Sequence, residues 1–164
     1  MILLAVPYTH IGLVLQSREN RQRSPKKGYR MAKKTLTSVK KRAWKVFSEM
    51  IRRTRADDDG MAYCVTCKQE FPDKAKKVHW KELQAGHFID GKGNAILFDE
   101  LGVHPQCYSC NCMKSGNKIE YFRFMQEKYG DEVIDYLRRK KHQTKKFTID
   151  ELENLMVIWR SRYG

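Results

Sequence analysis

Cys64-Val65-Thr66-Cys67, then Leu83-Gln84-Ala85-Gly86-His87-Phe88-Ile89, then Val103-His104-Pro105-Gln106-Cys107-Tyr108-Ser109-Cys110-Asn111, decide how this chain is read. Two residues between cysteines let both thiolates reach one tetrahedral ion from a tight turn. Two such pairs supply the four ligands of a closed structural zinc site. Cys64, Cys67, Cys107 and Cys110 are therefore the expected Zn²⁺ ligands, and Cys112 is a bystander. One pair alone could be a redox motif; two in one chain favour metal. The segment between the pairs is short and polar, too poor in apolar surface to fix its own geometry. The metal is expected to hold a strand pair against the helix that follows.

His87 lies on a short predicted strand, between small residues and apolar ones. Gly86 has no side chain, so a phosphate backbone could approach closely there. Taken singly, His87 reads as a core histidine and Asn111 as a helix cap. If the two knuckles share one ion, the strand histidine and the amide just past the last cysteine come near each other.

Outward from this centre, Thr37 to Arg55 reads as an amphipathic helix with Val39, Ala43, Val46, Phe47, Met50 and Ile51 on one stripe. Lys40, Lys41, Lys45, Arg52 and Arg55 cover much of the rest, as a solvated or a DNA-facing surface. Asp57-Asp58-Asp59-Gly60 is a turn, because an acidic run is a poor neighbour for a helix C-terminus. Lys118 to Tyr129 is helical with Gly130 as its stop, and Asp131 caps a short helix through Leu137. Thr148 and Glu151 form a capping box, with Phe147 and Leu152 as the hydrophobic staple of a last helix. Residues 1–35 are expected to be a basic, disordered tail, and Met31 resembles an ordinary start.

The 164 residues carry 33 Lys and Arg against 19 Asp and Glu, a formal net charge of +14. Such an excess repels itself unless an anion binds, and nucleic acid is the leading candidate. The longest apolar stretch, Met1 to Leu15, is interrupted at Pro7, His10 and Gly12, so neither a membrane span nor a secretory signal is expected. Cysteines in metal-type pairs without a signal point to a reducing compartment.

The order C-x-x-C, A-G-H-F-I, V-H-P-Q-C-x-x-C-N, K-S-G-N resembles an HNH nuclease finger, and more closely the NinG/Rap family of lambdoid phage recombination endonucleases. The likeness rests on Cys64, Cys67, Ala85, Gly86, His87, His104, Gln106, Cys107, Cys110, Asn111, Ser115, Gly116 and Asn117, and covers roughly residues 40–160. It implies an α+β fold: a zinc-stapled ββα-metal (HNH, treble-clef-like) finger over 61–117, with C-terminal helices over 118–164, in one nuclease domain from 36 to 164. It implies a metal-dependent, structure-selective DNA endonuclease that cuts D-loops and Holliday junctions. Carried onto this chain, His87 resembles the histidine that activates water, and Asn111 the residue that binds the catalytic metal, Mg²⁺. Two departures stand out. Gly102 occupies the place of the family's middle Asn, whose bracing role would fall to Asn94 or Asn117. Gly86 occupies the place where many HNH enzymes have a metal ligand, which leaves Asp90, Glu82 and His104 as candidates; His104 also reads as a structural residue. Branched DNA is the expected partner, a homodimer would suit symmetric cutting of two strands, and a phage product would work in the host cytoplasm. The competing readings are a non-catalytic zinc-finger DNA-binding module and a nucleic-acid-binding structural protein.

Overall fold

The computed structural model describes residues 34–91 and 93–163. The tail expected over 1–35 and the start at Met31 fall outside these residues, except for Lys34 and Thr35. Thr35 is the N-cap of the first helix, α1 (Leu36–Arg53): its hydroxyl accepts from the Ser38 amide, and the Ser38 hydroxyl from the Thr35 amide. Val39, Ala43, Val46, Phe47, Met50 and Ile51 are the buried face of α1. They pack on Leu152, Met156 and Trp159 of the last helix, α5 (Ile149–Ser161), and on Ala85 and Val103. Burying a side chain of this size stabilises by about 1.5–3 kcal/mol relative to exposure, so this pairing is the main hydrophobic anchor. Thr148 caps α5 by accepting from the Glu151 amide at 3.1 Å, and Phe147 packs beside the buried Leu152.

Between α1 and α5 lie two small antiparallel hairpins. In the first, β1 (Met61–Ala62) pairs with β2 (Val78–His79), across a short helix α2 (Val65–Glu70). The acidic run before β1 is a turn: Asp57 accepts from the amides of Gly60 and Met61, and Gly60 has φ +75°. In the second, β3 (Gln84–His87) pairs with β4 (Val103–Gln106), setting Gly86 opposite His104 and His87 opposite Val103. The short helix α3 (Asn94–Leu97) lies in the connection between them.

After β4 the chain makes a π-helical turn (Ser109–Met113) and then a reversal in which Ser115, Gly116 and Asn117 all adopt left-handed backbone, with φ of 47°, 88° and 46°. Non-glycine residues take this conformation at a cost of order 1–3 kcal/mol, met by surrounding contacts. Here the Gly116 amide bonds the Cys110 carbonyl, and the Gly116 carbonyl receives the side chain of Gln106. Helix α4 (Lys118–Lys141) follows, broken at Gly130 (φ 78°, ψ 173°) into the two segments expected on either side of it. Phe88 packs into its own cluster with Tyr121, Met125, Ile134 and Leu137 of α4.

The described residues thus form a mixed α+β fold with two two-stranded sheets. One expectation for α1 is corrected. Arg55, in the turn just past α1, faces inward, neither solvated nor DNA-facing: its guanidinium bonds the carbonyls of Val103 and Glu100 and ties this turn to β4 and the segment before it.

Candidate functional site

The two knuckles fold alike. In each, the amide of the second cysteine points at the sulfur of the first, Cys67 to Cys64 and Cys110 to Cys107, both at 3.4 Å. The four sulfurs lie within 4.8 Å of one another, with Cys67 3.4 Å from Cys110 and 3.7 Å from Cys107. Four soft thiols at this spacing could hold a metal ion such as zinc. Among the described residues, the buried aliphatic members of the cluster around them are Ala62 and Leu83, with Ala56 and Val78 packed against it. Cys112 stands apart, exposed, with its thiol on the Gln84 side-chain oxygen.

Beside the cluster is a cleft of about 910 Å³. One wall is α1, through Trp44, Ser48 and Arg52 at successive four-residue steps. The other comprises β3 and the segment from Asn111 to Lys118. His87, Asn111 and Asp90 all line it, as do the cations Arg52, Lys81 and Lys118.

His87 is held on two sides. Its ring stacks on Trp44, centroids 4.9 Å apart at 16°. Its Nε2 lies 3.2 Å from the Leu97 carbonyl. A carbonyl only accepts, so Nε2 carries the proton, and in the neutral ring Nδ1 is left as the acceptor. Burial holds the imidazole below its usual pKa; the Leu97 bond opposes this, Lys118 adds to it, and Asp90 opposes it. His87 is accordingly neutral at pH 7.

Asn111 donates Nδ2 to the Gln84 side-chain oxygen at 2.7 Å. Asp90 is 79% exposed in its side chain and pairs with Lys118 at 2.7 Å. The same ammonium caps the carbonyls of His87 and Phe88, fixing the turn that follows β3.

Two other expected ligands are not in the cleft. Glu82 caps the amide of His79 instead. His104 is fully buried, with Nδ1 3.1 Å from the Tyr121 hydroxyl and Nε2 2.9 Å from the Tyr129 hydroxyl. Tyr121 spends its own proton on the Gly86 carbonyl, so Nδ1 donates to Tyr121 and Nε2 accepts from Tyr129. No ring nitrogen of His104 is left for a metal, and burial pushes its pKa down to about 2. Its place is structural: it links α4 to the residue before His87.

The reading of Gly86 as room for a phosphate is also corrected. A Cβ there would stand 2.0 Å from the Gln106 Oε1 and 2.9 Å from the Asn111 Oδ1, so these amides already fill the space.

The bracing role sought for Asn94 or Asn117 is shared differently. Asn117 bonds Glu70, away from His87. Asn94 receives Lys40 of α1 and donates to the Lys145 carbonyl, pinning the start of α3. The carbonyl at the other end of α3, that of Leu97, is what holds His87. Trp44 and Lys118 went unmarked at the sequence level. The step Trp44, Ser48, Arg52 on the polar side of α1 was the available signal, a large aromatic where a solvated face needs none.

The fold and site define an α+β protein organised around a cysteine cluster that could hold a metal ion such as zinc. Over residues 14–163 the sequence matches the family described as Bacteriophage Lambda NinG protein, and the chain belongs to that family. Among its relatives, the protein ninG of Escherichia phage lambda and that of Escherichia phage 933W are each 27% identical over 82 residues, 49% of this chain and 40% of theirs. That of Enterobacteria phage H19B is 34% identical over 71 residues, 43% of this chain and 35% of its own. The matches thus span less than half the length of these relatives. No solved structure matches. Among the described residues, no helix is long and apolar enough to cross a membrane.

Proposed function

We propose that this protein is a metal-dependent DNA endonuclease of the HNH type, acting on branched recombination intermediates such as D-loops and four-way junctions. The observation that carries the reading is His87: a histidine in a basic cleft, kept neutral, with one nitrogen committed to a carbonyl and the other unpartnered among the described residues. That is the state a general base near neutral pH requires.

In this reading Nδ1 of His87 takes a proton from water, and the resulting hydroxide attacks phosphorus in line. Trp44 and the Leu97 carbonyl hold the ring so that little reorientation is needed at that moment. Arg52 and Lys81 bind flanking phosphates. A divalent ion such as Mg²⁺, held in part by the hard amide oxygen of Asn111, would supply Lewis-acid stabilisation of the phosphate and of the leaving 3′ oxygen. The cysteine cluster would hold structural Zn²⁺ and keep Asn111, one residue beyond Cys110, against β3. A nuclease domain over 36–164, a homodimer for paired cuts and action in the host cytoplasm belong to the same proposal.

The test is cleavage of a synthetic panel of linear duplex, D-loop and four-way junction, with and without Mg²⁺. Cuts should need Mg²⁺ and favour the branched substrates at moderate salt. Binding to all three should weaken steeply with salt, because cations on the protein displace counterions from DNA. Binding without cleavage under any divalent ion would leave the non-catalytic zinc-finger module as the function.

A further inference from the structure

Lys40 stands four residues before Trp44, on the stripe of α1 that continues through Ser48 and Arg52 along the cleft. Arg52 and Lys81 both lie beside the Trp80 ring, at one end of this row. His87 stacks on Trp44, so it lies between the two ends of the row. At 1.5 Å per residue, Lys40 and Arg52 are about 18 Å apart along α1. One strand of a DNA duplex carries a phosphate for every ~3.4 Å of axis, so the row covers about five phosphates, more than Arg52 and Lys81 can hold from one end.

The other end is met by α4. A Cβ on Gly91, which lines the cleft, would stand 3.7 Å from the Cε of Lys141. A Cβ on Gly93 would stand 3.6 Å from the Lys141 carbonyl, and the next residue, Asn94, accepts from Lys40 at 3.2 Å. Lys40 and Lys141 thus converge on the same loop after β3. Arg138, one turn before Lys141, lies with its Cζ 5.8 Å from the centre of the Phe122 ring, and Phe122 packs against Phe88 at the start of that loop. Lys141 is exposed and makes no ion pair among the described residues. Arg138 pairs with Asp135 at 3.4 Å, but both side chains are more than half exposed, and water screens such a pair. Asp90, the carboxylate that lines the cleft here, is paired with Lys118 at 2.7 Å. The helix dipole favours cations in any last turn, yet it does not account for their placement against the rim of this cleft.

We infer that Lys141, Arg138 and Lys40 form a second phosphate-binding station at the Gly91 end of the cleft, so that a DNA strand is held on both sides of His87. The inference deepens the nuclease reading and rests on it for the position of the cut, but DNA binding is measured without cutting.

The measurement is binding of the zinc-loaded full chain to a fluorescent duplex and to a four-way junction, with no divalent ion added, over a range of salt. Arg138→Ala/Lys141→Ala should reduce the slope of log affinity against log salt by about 1.8, two counterions at ~0.9 each, and weaken binding on the order of tenfold at physiological salt. Lys141→Ala alone should reduce the slope by about 0.9. Lys74→Ala/Lys76→Ala removes the same charge from exposed lysines that do not line the cleft, and should leave the slope near wild type. A slope unchanged in Arg138→Ala/Lys141→Ala overturns the inference. An equal loss from Lys74→Ala/Lys76→Ala also overturns it, since the effect would then be one of net charge. If the double variant does not fold, Lys141→Ala decides in the same way. Wild type that cuts nothing while these slopes hold would sink the nuclease reading and leave the station standing. Wild type that cuts while the Arg138→Ala/Lys141→Ala slope is unchanged would do the reverse.

Discussion

His87→Ala should lower Mg²⁺-dependent DNA cleavage by about 10²–10⁴-fold, the usual loss when a general base is removed. The residue touches none of the four cysteines. Its fixed contacts are the Trp44 face and the Leu97 carbonyl, both outside the cysteine cluster. Zinc content and DNA affinity should therefore stay near wild type. The gap beside Trp44 should cost stability only within the common range of about 0.5–3 kcal/mol. Single-turnover cleavage, elemental analysis and a urea melt on the same preparation separate these effects. Loss of zinc or of the fold would make His87 a structural residue. Normal cleavage would mean that another group is the base, and His104 could not take over, because both its nitrogens are engaged by tyrosines.

Stripping the metal, or replacing Cys64 with Ser, should have the largest effect on stability. Structural zinc binding contributes roughly 10–16 kcal/mol in small fingers and is itself folding free energy. Here Cys64 and Cys110 make up half of a small buried cluster whose other members are Ala62 and Leu83. Without the ion, that cluster has too little apolar area to hold α2 and the turn after β4 together. The α1–α5 pairing has a separate core with Phe47, Met50, Leu152 and Trp159, and should persist longer. The expected outcome is a partial loss of helical circular dichroism on chelation, loss of all cleavage, and a melt no longer cooperative. Cys112→Ser should change none of this, since that thiol is exposed and outside the cluster. A folded, cooperatively melting protein with no zinc on elemental analysis would contradict the account of the cluster.

Much of this architecture was legible in advance, wherever a short-range physical rule applied. Spacing alone marked the stripe of α1, the break at Gly130 and the cap at Thr148, because periodicity and capping act within a turn or two. The C-x-x-C spacing marked the four clustered cysteines for the same reason. Other features depend on contacts between distant segments. In sequence Arg55 continues the basic side of the expected helix like any solvated arginine, and only the approach of β4 turns it inward. The Leu97 carbonyl that holds His87 has no sequence signature, since every residue has such a carbonyl. A glycine such as Gly86 leaves room for a substrate or for a neighbouring side chain, and nothing local in the sequence distinguishes the two. Its close approach to Gln106, which lies on the paired strand, selects the second. His104 was open to two readings, a substitute for the ligand missing at Gly86 and a structural residue; two tyrosines on α4, 17 and 25 residues further along, absorb both its nitrogens.

The central claim is that a neutral His87 drives hydrolysis in this cleft, and its pH dependence tests that claim directly. Burial lowers the His87 pKa, so the protein carries the unprotonated ring through neutral pH and loses it only as pH falls through that lowered value. The pH profile of kcat/KM reports ionisations of the free enzyme. With Mg²⁺ and a four-way junction, kcat/KM should be level near pH 7 and fall at lower pH through a single protonation, with its midpoint below the ordinary histidine value of about 6.5. A midpoint at or above the ordinary histidine value, or a kcat/KM that climbs steadily from pH 6 to 8 as hydroxide does, would contradict it.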